Sequence, residues 1–217
     1  MIANEGKIIL VPTVIVLILG LISSYVFFDN TTWIKVFNYV VLIFLIFSLY
    51  FFREPNRTPI GESNEMVSPA DGKIISIDEI QDPEVGDAYN IAIFLSVFNV
   101  HSQYVPINSN VISTNYYAGK YLMAFNPKTS EENEQSVTLF INEDKNKYKV
   151  KQIAGLIARR ILNYMTHDQQ VIKGDRLGFI RFGSRVEIIV SKDDFNVDVK
   201  KGDIVRANIS KIGSFNV

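Results

Sequence analysis

Four short stretches hold the side chains best suited to chemistry. Val67-Ser68-Pro69-Ala70-Asp71-Gly72-Lys73-Ile74 puts a carboxylate in a turn that enters a strand. Phe94-Leu95-Ser96-Val97-Phe98-Asn99-Val100-His101-Ser102-Gln103-Tyr104-Val105-Pro106 puts His101 inside an apolar, strand-like run. A lone histidine there is commonly a hydrogen-bonded core residue, yet a buried imidazole also suits proton transfer near neutral pH. The run from Lys120 to Glu134 follows a lysine with clustered acids, the pattern of a solvated loop or of a helix start capped by Thr129 or Ser130. Gly178-Phe179-Ile180-Arg181-Phe182-Gly183-Ser184-Arg185-Val186-Glu187 contains a Gly-Ser pair, and Gly213-Ser214 is another. Taken singly, none of these identifies an activity.

Composition narrows the field. The 217 residues include 22 basic and 23 acidic groups, so nothing suggests a nucleic-acid surface. Without cysteine there is no disulfide framework, thiolate metal site or cysteine nucleophile. Two histidines are too few for a histidine-rich metal centre, and no metal is expected. His167 sits in a loop-like Thr-His-Asp context and reads as structural or solvated. No Gly-rich phosphate loop follows a strand, so nucleotide binding lacks support.

The charges are unevenly spread, and that division sets the elements that must carry these stretches. Residues 1–52 hold only Glu5, Lys7, Asp29 and Lys35 as charged groups. Ile8 to Phe28 is uncharged and, as a helix, reaches roughly 30 Å, the thickness of a bilayer's hydrocarbon core. Val36 to Phe52 is shorter and borrows from its flanks, with Trp33 and Tyr50 as interfacial anchors. A cleaved signal peptide fits less well, since its apolar region would be shorter and no A-x-A-like site follows. The sequence therefore predicts a membrane-anchoring helical hairpin over residues 1–52, with helices at about 8–28 and 34–52, before a polar domain at 53–217. Basic residues at Lys7, Arg53 and Arg57 put both ends of the hairpin, and the domain, on the cytoplasmic side by the positive-inside rule. A hairpin dipping into one leaflet is the alternative. Arg53 and Arg57 read as snorkelling helix-end anchors or as attractors of anionic lipid.

Past Pro55 the pattern becomes short β-branched runs between turn residues. Strands are predicted at Lys73–Ile80, Asn90–Ser96, Val111–Ala118, Ser136–Ile141, Tyr148–Ile153, Leu177–Phe182, Val186–Val190 and Ile204–Ile209. The ambiguous run Ala154 to Met165 is taken as extended. Val171-Ile172-Lys173-Gly174-Asp175-Arg176-Leu177 matches Val199-Lys200-Lys201-Gly202-Asp203-Ile204-Val205 at an offset of 28, each reading as strand, Gly-Asp turn and strand. The fold expected is mainly β, a β-sandwich resembling lipoyl or biotinyl carrier domains, preceded by the helical hairpin.

In their order, the motifs are specific together. The chain resembles the pyruvoyl-dependent phosphatidylserine decarboxylases, particularly a short subfamily with two N-terminal hydrophobic segments. The resemblance runs from Phe51-Phe52-Arg53-Glu54-Pro55-Asn56-Arg57 through S-P-A-D-G, F-N-V-H and A-F-N-P-K-T-S-E-E-N-E to Gln152-Ile153-Ala154-Gly155-Leu156-Ile157-Ala158-Arg159-Arg160 and I-R-F-G-S-R-V-E. It implies a proenzyme that cuts itself at Gly183-Ser184 into a β chain (1–183) and an α chain (184–217), which stay associated. Ser184 would become a covalent pyruvoyl group, forming a Schiff base with phosphatidylserine and releasing carbon dioxide and then phosphatidylethanolamine. His101 is implied to assist decarboxylation or protonation, and Asp71 to support self-cleavage. The chain departs from the longer forms by carrying Tyr104 where they have a second histidine, so the group activating Ser184 stays open between His101 and Asp71 acting through water. Lys128 could contact phosphate or pair with Glu131. The partners expected are the lipid substrate, the bilayer and the sister fragment, with a higher oligomer left open. Two other readings stand beside this one: a non-enzymatic membrane adaptor with a lipoyl-like domain, and a decarboxylase of another serine-headgroup lipid such as archaetidylserine.

Overall fold

A computed structural model describes residues 1–26, 32–122, 129–155, 160–181 and 184–216. The chain separates into two compact units, Met1–Asn56 and Arg57–Val217.

In the first unit a 3-10 turn (Asn4–Gly6) leads into α1 (Lys7–Val26), and α2 (Thr32–Phe51) follows. Both helices are long and apolar enough to cross a membrane, with mean hydropathy 2.5 and 2.1 over their spans. Pro12 deprives the Ile8 carbonyl of its helical partner, but lies close enough to the start for α1 to continue. Gly20 leaves room for the Asn38 side chain, which a Cβ there would overlap. The amino terminus is stitched to the end of α2: Ala3 N donates to Phe52 O at 2.8 Å, Glu54 N donates to Met1 O at 2.8 Å, and Ile2 bridges Arg53. Arg53 folds back on the end of α2, donating to Tyr50 O and covering the Tyr50 ring at 3.9 Å.

The second unit is mainly β, as predicted. In chain order its strands are β1 (Glu65–Val67), β2 (Gly72–Asp82), β3 (Gly86–Leu95), β4 (Ser102–Tyr104), β5 (Ser109–Tyr117), β6 (Gln135–Asn142) and β7 (Lys147–Ala154). There follow β8 (Ile161–Asn163), β9 (Gln170–Val171), β10 (Arg176–Ile180), β11 (Ser184–Ser191), β12 (Phe195–Val197), β13 (Ile204–Val205) and β14 (Lys211–Phe215). A short helix, α3 (Thr129–Glu132), precedes β6. Eight strands form one antiparallel sheet in the order β13-β2-β3-β11-β7-β6-β5-β9, and two three-stranded sheets have the orders β4-β10-β8 and β1-β14-β12. Bulges at Ile74/Ser76 and Val111/Ser113 bend β2 and β5, and the large sheet curls into a half-barrel. β11 sits centrally, paired along its length with β3 and β7. Its β-branched residues Val186, Ile188 and Val190 alternate onto one face and pack with Ile91, Ile93 and Val150 in the core.

The repeated turns are alike in detail. Gly174 and Gly202 have φ of 94° and 102°, and the aspartate after each accepts a backbone N–H three residues back, Ile172 N to Asp175 and Lys200 N to Asp203, both at 2.9 Å. Other expectations need correction. The strand predicted over Ile204–Ile209 stops at Val205, because Arg206 N donates to the Ser210 hydroxyl and Asn208 adopts a φ of 65° that ends extended structure. Leu177–Phe182 is a strand only to Ile180, and Phe182 lies outside the described residues. Of Ala154–Met165, Ile161–Asn163 is a strand after Ala154 closes β7, while 156–159 lie outside the described residues. The short strands β1, β12 and β14 were not anticipated; three to five residues are too few to make a periodic signal.

Candidate active site

Ser184 opens β11, directly opposite Leu95 at the end of β3 and Ala154 at the end of β7. It shares the core-facing side with Val186 and is fully buried, and its hydroxyl has no hydrogen-bond partner among the described residues. Leaving a buried hydroxyl unpaired costs about 1–3 kcal/mol, so such a group asks for a reason. Gly183 lies outside the described residues.

His101 reaches the same end of the sheet by a different route. Beyond β3 the chain makes a tight turn in which the Asn99 side chain accepts from Ser96 N and Ser96 Oγ, at 2.9 and 2.7 Å. The chain then enters β4 through His101, which is fully buried. Its Nδ1 is 2.9 Å from Asn99 O. A carbonyl can only accept, so Nδ1 carries a proton in this contact. The His101 carbonyl accepts from Ile180 N at 3.3 Å and from Gln103 Nε2 at 2.7 Å, and Gln103 Oε1 accepts in turn from Gln152. β10 therefore carries the chain from the main-chain contact with His101 to Ser184 in four residues.

The acidic loop is closed at the same place. Lys120 N donates to Glu132 O and Glu134 N to Lys120 O, while Asn133 holds Leu122 through two hydrogen bonds and donates to Ala154 O at 2.7 Å. Ala154 N donates to Glu134 O, which fixes the loop's base beside the partner of Ser184. Ser130 does not cap a helix. Its hydroxyl donates to Glu187 at 2.8 Å, on the outer face of β11, where Lys151 and Arg185 also meet the Glu187 carboxylate at 3.2 and 2.7 Å. Lys120 pairs with Glu132 at 2.8 Å, and Lys128 lies outside the described residues. Sequence reading missed the Glu187 cluster; the available signal was two charges, Arg185 and Glu187, on one face of an otherwise apolar strand.

Asp71 stands just before β2, and its carboxylate is held by the Arg57 guanidinium through both nitrogens and by Ala207 N at 2.9 Å. The hydrogen bond that Arg57 donates to Asp71 raises the Arg57 pKa against the opposing effect of burial. Arg57 is thus part of the folded domain, which corrects its reading as a membrane anchor; only the tertiary fold brings it to Asp71. The turn is also tied to β4, since Tyr104 N donates to Pro69 O, and the Tyr104 ring packs near Arg176 at 5.7 Å. Asp71 stands at the head of β2, two strands from Ser184 in the large sheet, whereas the base of the acidic loop meets Ala154, the cross-strand partner of Ser184. His167 is exposed, beside Asp168, with Nδ1 against Ile112 O, which suits the solvated reading.

Residues 44–212 match the family model of phosphatidylserine decarboxylase. A phosphatidylserine decarboxylase proenzyme of Syntrophus aciditrophicus is 40% identical over 217 residues, covering 99% of this chain and 97% of that protein. A proenzyme of the same name from Prosthecochloris aestuarii is 42% identical over 150 residues, 69% of each chain, and one from Chlorobium chlorochromatii is 35% identical over 204 residues, 94% of each.

Proposed function

The chain belongs to the phosphatidylserine decarboxylase family, and from that premise we propose that it is a self-cleaving proenzyme that decarboxylates phosphatidylserine to phosphatidylethanolamine. The observation that carries the reading is Ser184: a fully buried hydroxyl without a hydrogen-bond partner among the described residues, preceded in the chain by glycine. In maturation the Ser184 Oγ attacks the Gly183 carbonyl carbon, and the peptide C–N bond gives way to an ester. Loss of the Ser184 Cα proton then expels the Gly183 carboxylate and leaves a dehydroalanine. Addition of water and release of ammonia turn that residue into a pyruvoyl group at the new amino terminus.

Ser184's surroundings fit such a group: Leu95 and Ala154 oppose it with apolar side chains, and Val186 continues the same buried face. The ketone supplies an electrophile for the substrate amine and a sink for electrons from the breaking bond to the carboxylate. His101 moves the proton. With Nδ1 committed to Asn99 O, its Nε2 delivers the proton that takes the place of carbon dioxide at the substrate Cα, in a buried setting that excludes water. Asp71 acts on maturation from its position beside Arg57, and the two fragments remain joined. Cleavage leaves β11 between β3 and β7, β13 against β2 and β14 against β1, so each of these strands of the small fragment keeps a partner from the large one.

The two apolar helices suit a substrate held in a bilayer, because each lipid methylene resists transfer to water by about 0.8 kcal/mol. Lys7 and Arg53 favour a cytoplasmic catalytic domain.

Intact mass of the purified protein tests the proposal. Two fragments are expected, the smaller spanning 184–217 with a ketone in place of its amine, and Ser184→Ala should stay one chain without carbonyl reactivity. An unbroken wild-type chain would instead favour the adaptor. Turnover of defined serine lipids separates phosphatidylserine from an ether-lipid substrate.

A further inference from the structure

Resting on that reading, we propose that Arg181 and Arg160 form the subsite that grips the phosphodiester of the lipid headgroup. The register of β10 and β8 runs Gly178↔Asn163, Phe179↔Leu162, Ile180↔Ile161, and the hydrogen bond from Arg181 N to Arg160 O at 3.3 Å carries it one step further. The two arginines are therefore directly opposite on antiparallel chains, where Cβ atoms stand about 4.5–5.5 Å apart. Like charges in that relation repel, and no carboxylate among the described residues pairs with either one. Arg181 is half-buried, and its Nε is buried without a hydrogen-bond partner among the described residues. A bridging anion would relieve both conditions, since the planar guanidinium matches phosphate oxygens in pairs.

The location fits a headgroup. Ile180, next to Arg181, donates to the His101 carbonyl on one side of β10, while Arg160 flanks it on the other. Arg181 also lies three residues before Ser184. In a serine phosphodiester two carbons and one oxygen separate the amine nitrogen from phosphorus, so an amine engaged at residue 184 keeps its phosphate close by. Of the substrate's two anions, the phosphate is the one to hold. Arginines on the carboxylate would stabilise the charge that decarboxylation must discharge, lowering the ground state more than the transition state.

The test uses the full-length, detergent-solubilised enzyme with monomeric short-chain phosphatidylserine and, separately, with phosphatidylserine in vesicles with and without phosphatidylglycerol. Arg181→Gln and Arg160→Gln should each raise KM about 10- to 100-fold on the monomeric substrate, with a smaller change in kcat, and Arg181→Lys should recover part of the loss. Self-cleavage of each variant reports its folding; should Arg181→Gln fail to mature, the exposed Arg160 decides the matter. Unchanged KM on the monomeric substrate in a matured variant overturns the proposal. So does an effect confined to vesicles containing phosphatidylglycerol, which would make the pair a sensor of anionic surfaces. A wild-type enzyme that neither cleaves itself nor turns over the lipid would instead sink the functional reading beneath it.

Discussion

The first two residues of β11 face opposite sides of one sheet and live under opposite rules. Ser184 looks into the core with a hydroxyl that finds no partner among the described residues, whereas Arg185 looks outward and is bound to Glu187, itself gripped by Lys151 and Ser130. A strand's alternation makes this possible in consecutive positions. The inner face keeps an under-satisfied hydroxyl, the group proposed to react. The outer face ties the strand to β7 and to Ser130 by pairing charges that would otherwise be costly to bury, although Arg185 Nε itself has no hydrogen-bond partner among the described residues. The proposed reactivity on one side thus rests on ion pairing on the other.

That contrast can be broken or sharpened by substitution. The largest effect is expected on the inner side: His101→Ala should lower kcat about 10²- to 10⁴-fold in protein that still matures, beyond the lower denaturation midpoint that the loss of a buried ring brings. A block in self-cleavage alone would reassign the imidazole to maturation. On the outer face Glu187→Ala leaves Arg185 and Lys151 without their shared carboxylate, and urea denaturation should report a loss of about 3–5 kcal/mol. If it instead left stability intact and removed turnover, the two faces would not divide the work in this way.

The paired turns give a finer comparison. A Cβ at Gly202 meets nothing within 4 Å, so Gly202→Ala should cost only the strain of its positive φ, about 1 kcal/mol. At Gly174 the same Cβ overlaps the Pro59 ring, and Gly174→Ala should cost measurably more in the same melts.

The smallest effect is electrostatic. Burial alone would raise the Asp82 pKa, but hydrogen bonds from Lys149 and from the Glu84 and Val85 amides outweigh it and hold it below the ordinary value. A depressed carboxyl contributes stability above its unfolded pKa and loses it as pH falls through the folded value, which puts the window below about pH 4. Urea midpoints measured from pH 5 to pH 2 should fall more gently in Asp82→Asn than in the wild type, by up to about 1 kcal/mol.

Much of this molecule is legible along the chain because it is local. Helix-length apolar runs, Gly-Asp turns at a fixed offset and β-branched strands each depend on neighbours a few residues apart. The strand interiors were read correctly for the same reason, while their ends were not, since Val205 stops where a side chain at Ser210 intervenes. Of the candidate site, residue types and order were legible, and resemblance supplied their roles.

Sequence alone determined which groups are present: one imidazole in an apolar run, a Gly-Ser pair before a β-branched strand, and two segments fit for a bilayer. Tertiary structure decided who meets whom. Arg57 went to Asp71 rather than to lipid, Ser130 to Glu187 rather than to a helix end, and Arg181 to a position opposite Arg160. Charge pairing at such separations follows from strand order and register, and these are fixed by the packing of the whole sheet rather than by the preference of any short segment.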